Sequence, residues 1–205
     1  MTRLHRCILP ITAATFLAAC AAEPESAVPL DYELLAHTGD VEAPAPEGGR
    51  YAPADKDAID RGRYLVVLLG CGACHTHGAF EGAPDLERAL AGSAIGIAWT
   101  NPLQNERPGV VYPPNITPDE QTGIGLWSNA RIANAIRDGD GRHGARPLVS
   151  MPWQSYARLN DDDLEAIVAY LRSIPPIEHR VPDEVQPGQT ATAPFVYFGV
   201  YRSRD

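Results

Sequence analysis

The chain has 205 residues, with 26 acidic against 17 basic side chains and a formal charge of −9. That balance argues against nucleic acid or an anionic lipid surface as the main partner and suits docking on a basic patch. The length allows a single domain with a real core, and the 4 cysteines and 2 methionines are few enough to be accounted for one by one.

The first predicted element is an export signal. Arg3, His5 and Arg6 form a short basic region, and Ile8 to Ala18 is an apolar run too short to span a bilayer. The run closes on Leu17-Ala18-Ala19-Cys20, which resembles the lipobox of bacterial lipoproteins. On that reading residues 1–19 are removed, Cys20 becomes an acylated N-terminus, and the mature chain is held on the periplasmic side of a bacterial membrane. The alternative is an ordinary cleavage site at Cys20 and a soluble protein in the same compartment. Loss of Arg3 and Arg6 leaves the mature chain two charges more acidic. Residues 20–54 are rich in Ala, Pro, Glu and Gly with little apolar periodicity, the composition of a flexible tether.

A helix is predicted from Asp55 to Gly70, opening on Asp-Lys-Asp-Ala and carrying Ile59, Tyr64, Leu65, Val66, Leu68 and Leu69. Directly after it stands Cys71-Gly72-Ala73-Cys74-His75. Cys-x-x-Cys-His is the attachment signal for a c-type haem: two thiols at this spacing add to the two vinyl groups, and the histidine faces the iron. One covalently bound haem c per chain follows, with Cys71 and Cys74 as attachment points and His75 as proximal ligand. Cys7 leaves with the signal and Cys20 takes lipid, so no thiol remains for a disulfide.

A second helix is predicted from Ser128 to Asp138, with Ser128 as N-cap and Gly139 as stop. A third runs from Asp161 to Ser173. There Asn160 caps the start, three aspartates face the positive end of the dipole, and Leu164, Ile167, Val168 and Leu171 share one face. The loops between are long and Gly/Pro-rich, without strand alternation. The expected class is all-α, few helices and long loops wrapped around the haem.

With Met1 lost, Met151 is the sole thioether candidate for the other side of the iron. A His/Met pair raises the potential relative to bis-histidine ligation and leaves no open position. Two alternatives stand beside it: Met151 as core filler, and His143 as the sixth ligand. His77, His37 and His179 are expected at the surface. Trp127 is a candidate donor to a haem propionate or a packing residue of the crevice. Asn115 belongs to a loop whose side chains hold their own backbone and reach toward a propionate. Arg142 and Arg146 are further propionate candidates.

Asn115-Ile116-Thr117-Pro118-Asp119, Thr122-Gly123-Ile124-Gly125 followed by Trp127-Ser128, Met151-Pro152-Trp153 and Tyr170-Leu171-Arg172-Ser173 together resemble class I cytochromes c. The likeness is to the cytochrome c domains of membrane-associated alcohol and sugar dehydrogenase subunits and of related single-haem proteins, over roughly residues 55 to 177. It implies a cytochrome c-like fold, a role in electron transfer rather than catalysis, and His75 and Met151 as axial ligands. It also implies that Gly62 lets the first helix pass close to the last near Tyr170. The implied partners are redox proteins, a dehydrogenase or a terminal oxidase or reductase, with no nucleic acid. The sequence departs from those subunits in carrying one haem motif where they usually carry several.

Residues 178–205 are an extension beyond that core, with Phe195, Tyr197, Phe198 and Tyr201 as an aromatic cluster read as a tail packed over the domain or as a docking surface. Two other function classes compete with electron transfer. One is an open-site haem enzyme or gas sensor in which Met151 does not bind. The other is a thioredoxin-like thiol oxidoreductase built on Cys71 and Cys74.

Overall fold

The computed structural model describes residues 41–50, 52, 55–139 and 151–199. Its helices are α1 (Lys56–Leu68), α2 (Cys71–His75), α3 (Asn129–Asp138), α4 (Trp153–Tyr156) and α5 (Asp161–Ser173), with short 3₁₀ turns at Ala79–Glu81 and Leu86–Arg88. Loops fill most of the rest, an arrangement consistent with the cytochrome c-like class.

The caps act as the local chemistry requires. Ser128 accepts the Arg131 N–H at the start of α3, and Asn160 accepts the Asp163 N–H at the start of α5, each satisfying an amide that the helix leaves open. Helix α1 buries Ile59, Gly62, Leu65 and Val66, whereas Tyr64 and Leu68 of its expected apolar set are exposed. The main core joins these residues to Ile132 of α3 and to Ile167, Val168, Tyr170 and Leu171 of α5.

Helices α1 and α5 pack closely because of Gly62. A Cβ there would lie 2.0 Å from the Ala166 carbonyl oxygen and 2.7 Å from Tyr170 Cβ, so any side chain would drive the helices apart. This is the close approach that the resemblance implied.

The structure differs from expectation in two segments. The tether expected to reach residue 54 is docked from residue 41. Ala43 is buried, the Ala43 carbonyl accepts two bonds from the Arg63 guanidinium, and the Pro44 carbonyl accepts from Tyr170 Oη at 2.8 Å. The buried Tyr170 hydroxyl needs an acceptor, and this Pro-rich stretch supplies it from its backbone, as it does for the exposed Arg63.

A small sheet is also present where no strand was read. β1 (Gly96–Ala98) pairs antiparallel with β2 (Val110–Val111) and parallel with β3 (Phe195–Val196). Strands of two or three residues are too short for alternation to show in sequence. β3 lies in the extension, which is therefore packed down as a strap. Val181, Val185, Ala193, Phe195 and Tyr197 cover Ala98, Val110 and Tyr112, and Tyr112 Oη donates to the Ala193 carbonyl. Phe198 is exposed, edge-on to Phe80.

Candidate haem site

A cavity opens between the end of α1, α2, the β1–β2 pair, the turn before α3, the Met151–Tyr156 stretch and α5. Its wall is largely apolar, with Ile97, Val111, Ile116, Ile132, Ile167 and Leu171 among the lining side chains. An apolar wall drawn from so many elements of a small core suits a hydrophobic ligand.

Cys71, Cys74 and His75 all line it. Gly70, at φ 68°, turns the chain sharply between α1 and α2, a conformation glycine adopts without steric cost. Both thiols are free and half-buried. Burial pushes the Cys71 thiol up to about 12, with the Cys74 charge adding to it, and burial raises Cys74 as well. A thiol oxidoreductase needs the opposite, a thiolate stabilised near neutral pH, so this environment argues against the thioredoxin-like reading.

His75 is held at both ends. Its carbonyl accepts the Gly92 N–H at 2.8 Å, and its Nδ1 stands 2.8 Å from the Pro114 carbonyl. A carbonyl only accepts, so Nδ1 carries the proton and the Nε2 lone pair is left for a metal. Burial lowers the His75 pKa against the opposing effect of the Pro114 bond, which keeps the imidazole in its neutral, ligating form.

Met151, half-buried, lines the same cavity beside Pro152 and Tyr156, and Trp127 lines it too. The residues therefore fit the haem that the motif calls for: two attachment thiols, an imidazole with its tautomer set, a thioether and an apolar wall. Tyr156, which the sequence did not single out, donates to the Leu69 carbonyl at 3.0 Å and ties the Met151 stretch to the end of α1.

Asn115 lies at the cavity wall, but its amide is fully engaged within the protein. Nδ2 donates to Thr122 Oγ1 and the Ile177 carbonyl, while Oδ1 accepts from Thr117 N and Oγ1. It has no N–H left for a propionate, and its role is to hold the loop. His77 and His179, expected at the surface, are half-buried and edge-on to each other at 6.4 Å. His179 Nδ1 donates to the Ala91 carbonyl, and His77 Nδ1 accepts the Ala94 N–H. Cys20, His37, Arg142, His143, Arg146 and Tyr201 lie outside the described residues.

The turn before α3 is clamped by Arg172. Its guanidinium donates to the carbonyls of Ile124, Gly125 and Trp127 and to Asn129 Oδ1. Asp119 closes the other side of that turn, its Oδ1 accepting from Thr122 Oγ1 at 2.7 Å and from the Thr122 and Gln121 amides. These bonds, the Thr122 hydroxyl first, hold the Asp119 carboxyl below the usual range. A depressed carboxylate contributes stability that is present above its unfolded pKa, about 3.9, and lost as pH falls through the folded value. Asp119→Asn, which keeps the acceptor and removes the titration, is therefore expected to flatten part of the fall of Tm below about pH 4; an acid limb identical to the parent's would show that Asp119 contributes nothing there.

An apolar cavity with this attachment motif on its wall defines a class of covalent haem proteins. The cytochrome c family model matches residues 59–175, and the chain belongs to the cytochrome c family, electron-transfer proteins with covalently bound haem c. It is 36% identical over 120 residues to the fructose dehydrogenase cytochrome subunit of Gluconobacter japonicus, covering 58% of this chain and 22% of that protein. The alcohol dehydrogenase (quinone) cytochrome c subunit of Gluconobacter oxydans is 35% identical over 133 residues, 63% of this chain and 25% of that one. The gluconate 2-dehydrogenase cytochrome c subunit of Pantoea cypripedii is 35% identical over 117 residues, 57% and 23% respectively. The matched stretch thus spans a quarter or less of each of these relatives.

Proposed function

We propose that this chain is a single-haem electron carrier on the periplasmic side of a bacterial membrane, anchored through lipid on Cys20, with a cytochrome domain over residues 55–177. The observation that carries the reading is that Cys71, Cys74, His75 and Met151 line one apolar cavity, with the His75 tautomer set by Pro114. The haem supplies a one-electron Fe(III)/Fe(II) couple when bound. Cys71 and Cys74 would hold it, His75 Nε2 and the Met151 thioether would ligate its iron, and the apolar wall would keep water away. Iron ligated by both residues would have no position for substrate, which favours a carrier over an enzyme or gas sensor.

The partner we propose is a dehydrogenase, because the relatives are named as cytochrome subunits of such enzymes, or else a terminal oxidase or reductase. The acidic surface suits docking on a basic patch of that partner. Among the described residues no helix is long and apolar enough to cross a membrane, and the proposed attachment is the lipid.

The test is a redox-resolved visible spectrum of the matured protein. A sharp reduced α-band and a weak sulfur-to-iron band in the oxidised form are expected, the latter vanishing in Met151→Ala. Ready binding of carbon monoxide by the reduced parent, without a sulfur band, would sink the His75/Met151 assignment.

A further inference from the structure

Trp127 has neighbours of two kinds. It lines the cavity, and the Arg131 Cζ stands over its ring, 3.9 Å from the centroid. Both residues are pinned at the start of α3. Arg172 donates to the Trp127 carbonyl, and the Arg131 N–H is taken by the Ser128 cap.

The charge of Arg131 is not cancelled locally. Arg50, Arg61, Arg88 and Arg137 each pair with a carboxylate, whereas among the described residues Arg131 has no carboxylate at ion-pair distance. Arg63, Arg107, Arg158, Arg172 and Arg180 likewise have no carboxylate at ion-pair distance among the described residues; what sets Arg131 apart is that its guanidinium lies on a cavity-lining indole.

We propose that Arg131 tunes the haem, raising its reduction potential by holding one positive charge against the cavity through Trp127. The inference rests on the haem occupying this cavity. Reduction adds one electron, taken from a donor that loses one, and makes no bond. A fixed cation nearby therefore favours the reduced form over the oxidised one. Arginine suits the task because its planar, weakly hydrated guanidinium stacks on indole, whereas the compact ammonium of lysine is more strongly hydrated and swings into solvent. Arg131 is a positioning residue here, acting on the haem through space without touching it.

The test is a mediated redox titration of the haem-loaded protein. Arg131→Gln is expected to lower the equilibrium constant for reduction by a reference mediator about two- to fourfold at low salt, the order of effect of one nearby unit charge at a near-aqueous dielectric. The difference shrinks at high salt because the group is exposed and screened. Arg131→Lys falls between the two, and the Arg88→Gln/Asp85→Asn double variant, which removes both members of an ion pair and so leaves the net charge unaltered, leaves the equilibrium unchanged. An Arg131→Gln protein that titrates like the parent at low salt overturns the proposal, as does an equal drop in the charge-neutral Arg88→Gln/Asp85→Asn variant. The sulfur-to-iron band reports separately: its absence in the parent defeats the Met151 assignment, while the drop in Arg131→Gln still decides the role of the charge.

Discussion

Gly62→Ala is expected to destabilise the protein by about 3 kcal/mol, the upper end of what overpacking costs, and to lower Tm by about 6–12 °C for a chain of this size. In an exposed helix the same change stabilises by about 1 kcal/mol, because alanine is the better helix former. The sign reverses here because the added Cβ would sit 2.0 Å from the Ala166 carbonyl oxygen, and a backbone atom inside α5 cannot swing aside. Relief requires α1 and α5 to separate. Ile167 and Leu171 of α5 line the cavity, and Tyr170 holds Pro44 through its hydroxyl, so separation loosens both the cavity wall and the docked 41–50 segment. A thermal melt of the matured protein measures the loss. A Tm equal to the parent's or higher would mean that the helices have room to part and that the close approach is not a constraint.

Helices α1, α3 and α5, the haem motif and the fold class were legible because each has a short-range cause, whereas the short α2 and α4 were not read. Ser128 and Asn160 cap the amides three residues on, Gly139 adopts the left-handed conformation that stops α3, and Cys71 to His75 is contiguous. What was not legible depends on partners far along the chain. The histidines misplaced at the surface are held by residues 17 and 88 positions away, Ala94 for His77 and Ala91 for His179. Arg172 reaches back to a turn more than 40 residues earlier, and nothing in its local pattern separates it from a solvated helix arginine. Leu90 adopts φ 64° while fully buried, a conformation that leucine itself disfavours. Thr76 Oγ1 accepts its N–H and Ile116 donates to its carbonyl, a tertiary demand overriding a local preference. Asn115 was half legible: the loop role followed from its residue type, but the use of its whole amide followed from Ile177, which lies 62 positions away.

That full engagement predicts the second large effect. Asn115→Ala is expected to destabilise the protein by about 3 kcal/mol, because each buried polar group left without a partner costs about 1–3 kcal/mol. The Thr117 N–H loses its acceptor, while the Thr117 hydroxyl can turn to the Ile177 carbonyl already 3.3 Å away, so part of the loss is recovered. Asn115→Asp is the sharper probe. It keeps the oxygen that Thr117 needs but removes both N–H donors, and it sets a carboxylate oxygen against the Ile177 carbonyl and against a Thr122 hydroxyl whose proton goes to Asp119. Burying that uncompensated charge is expected to cost at least as much as the deletion. The damage reaches the site through one peptide bond, since the Pro114 carbonyl next in the chain receives the His75 Nδ1 proton. If Asn115 serves to hold this loop, both variants lose Tm together and broaden the reduced α-band as the imidazole loses its fixed orientation. Were its amide a propionate donor instead, Asn115→Ala would shift the potential while leaving Tm near the parent's, and that combination of readings would remove the structural role assigned to it.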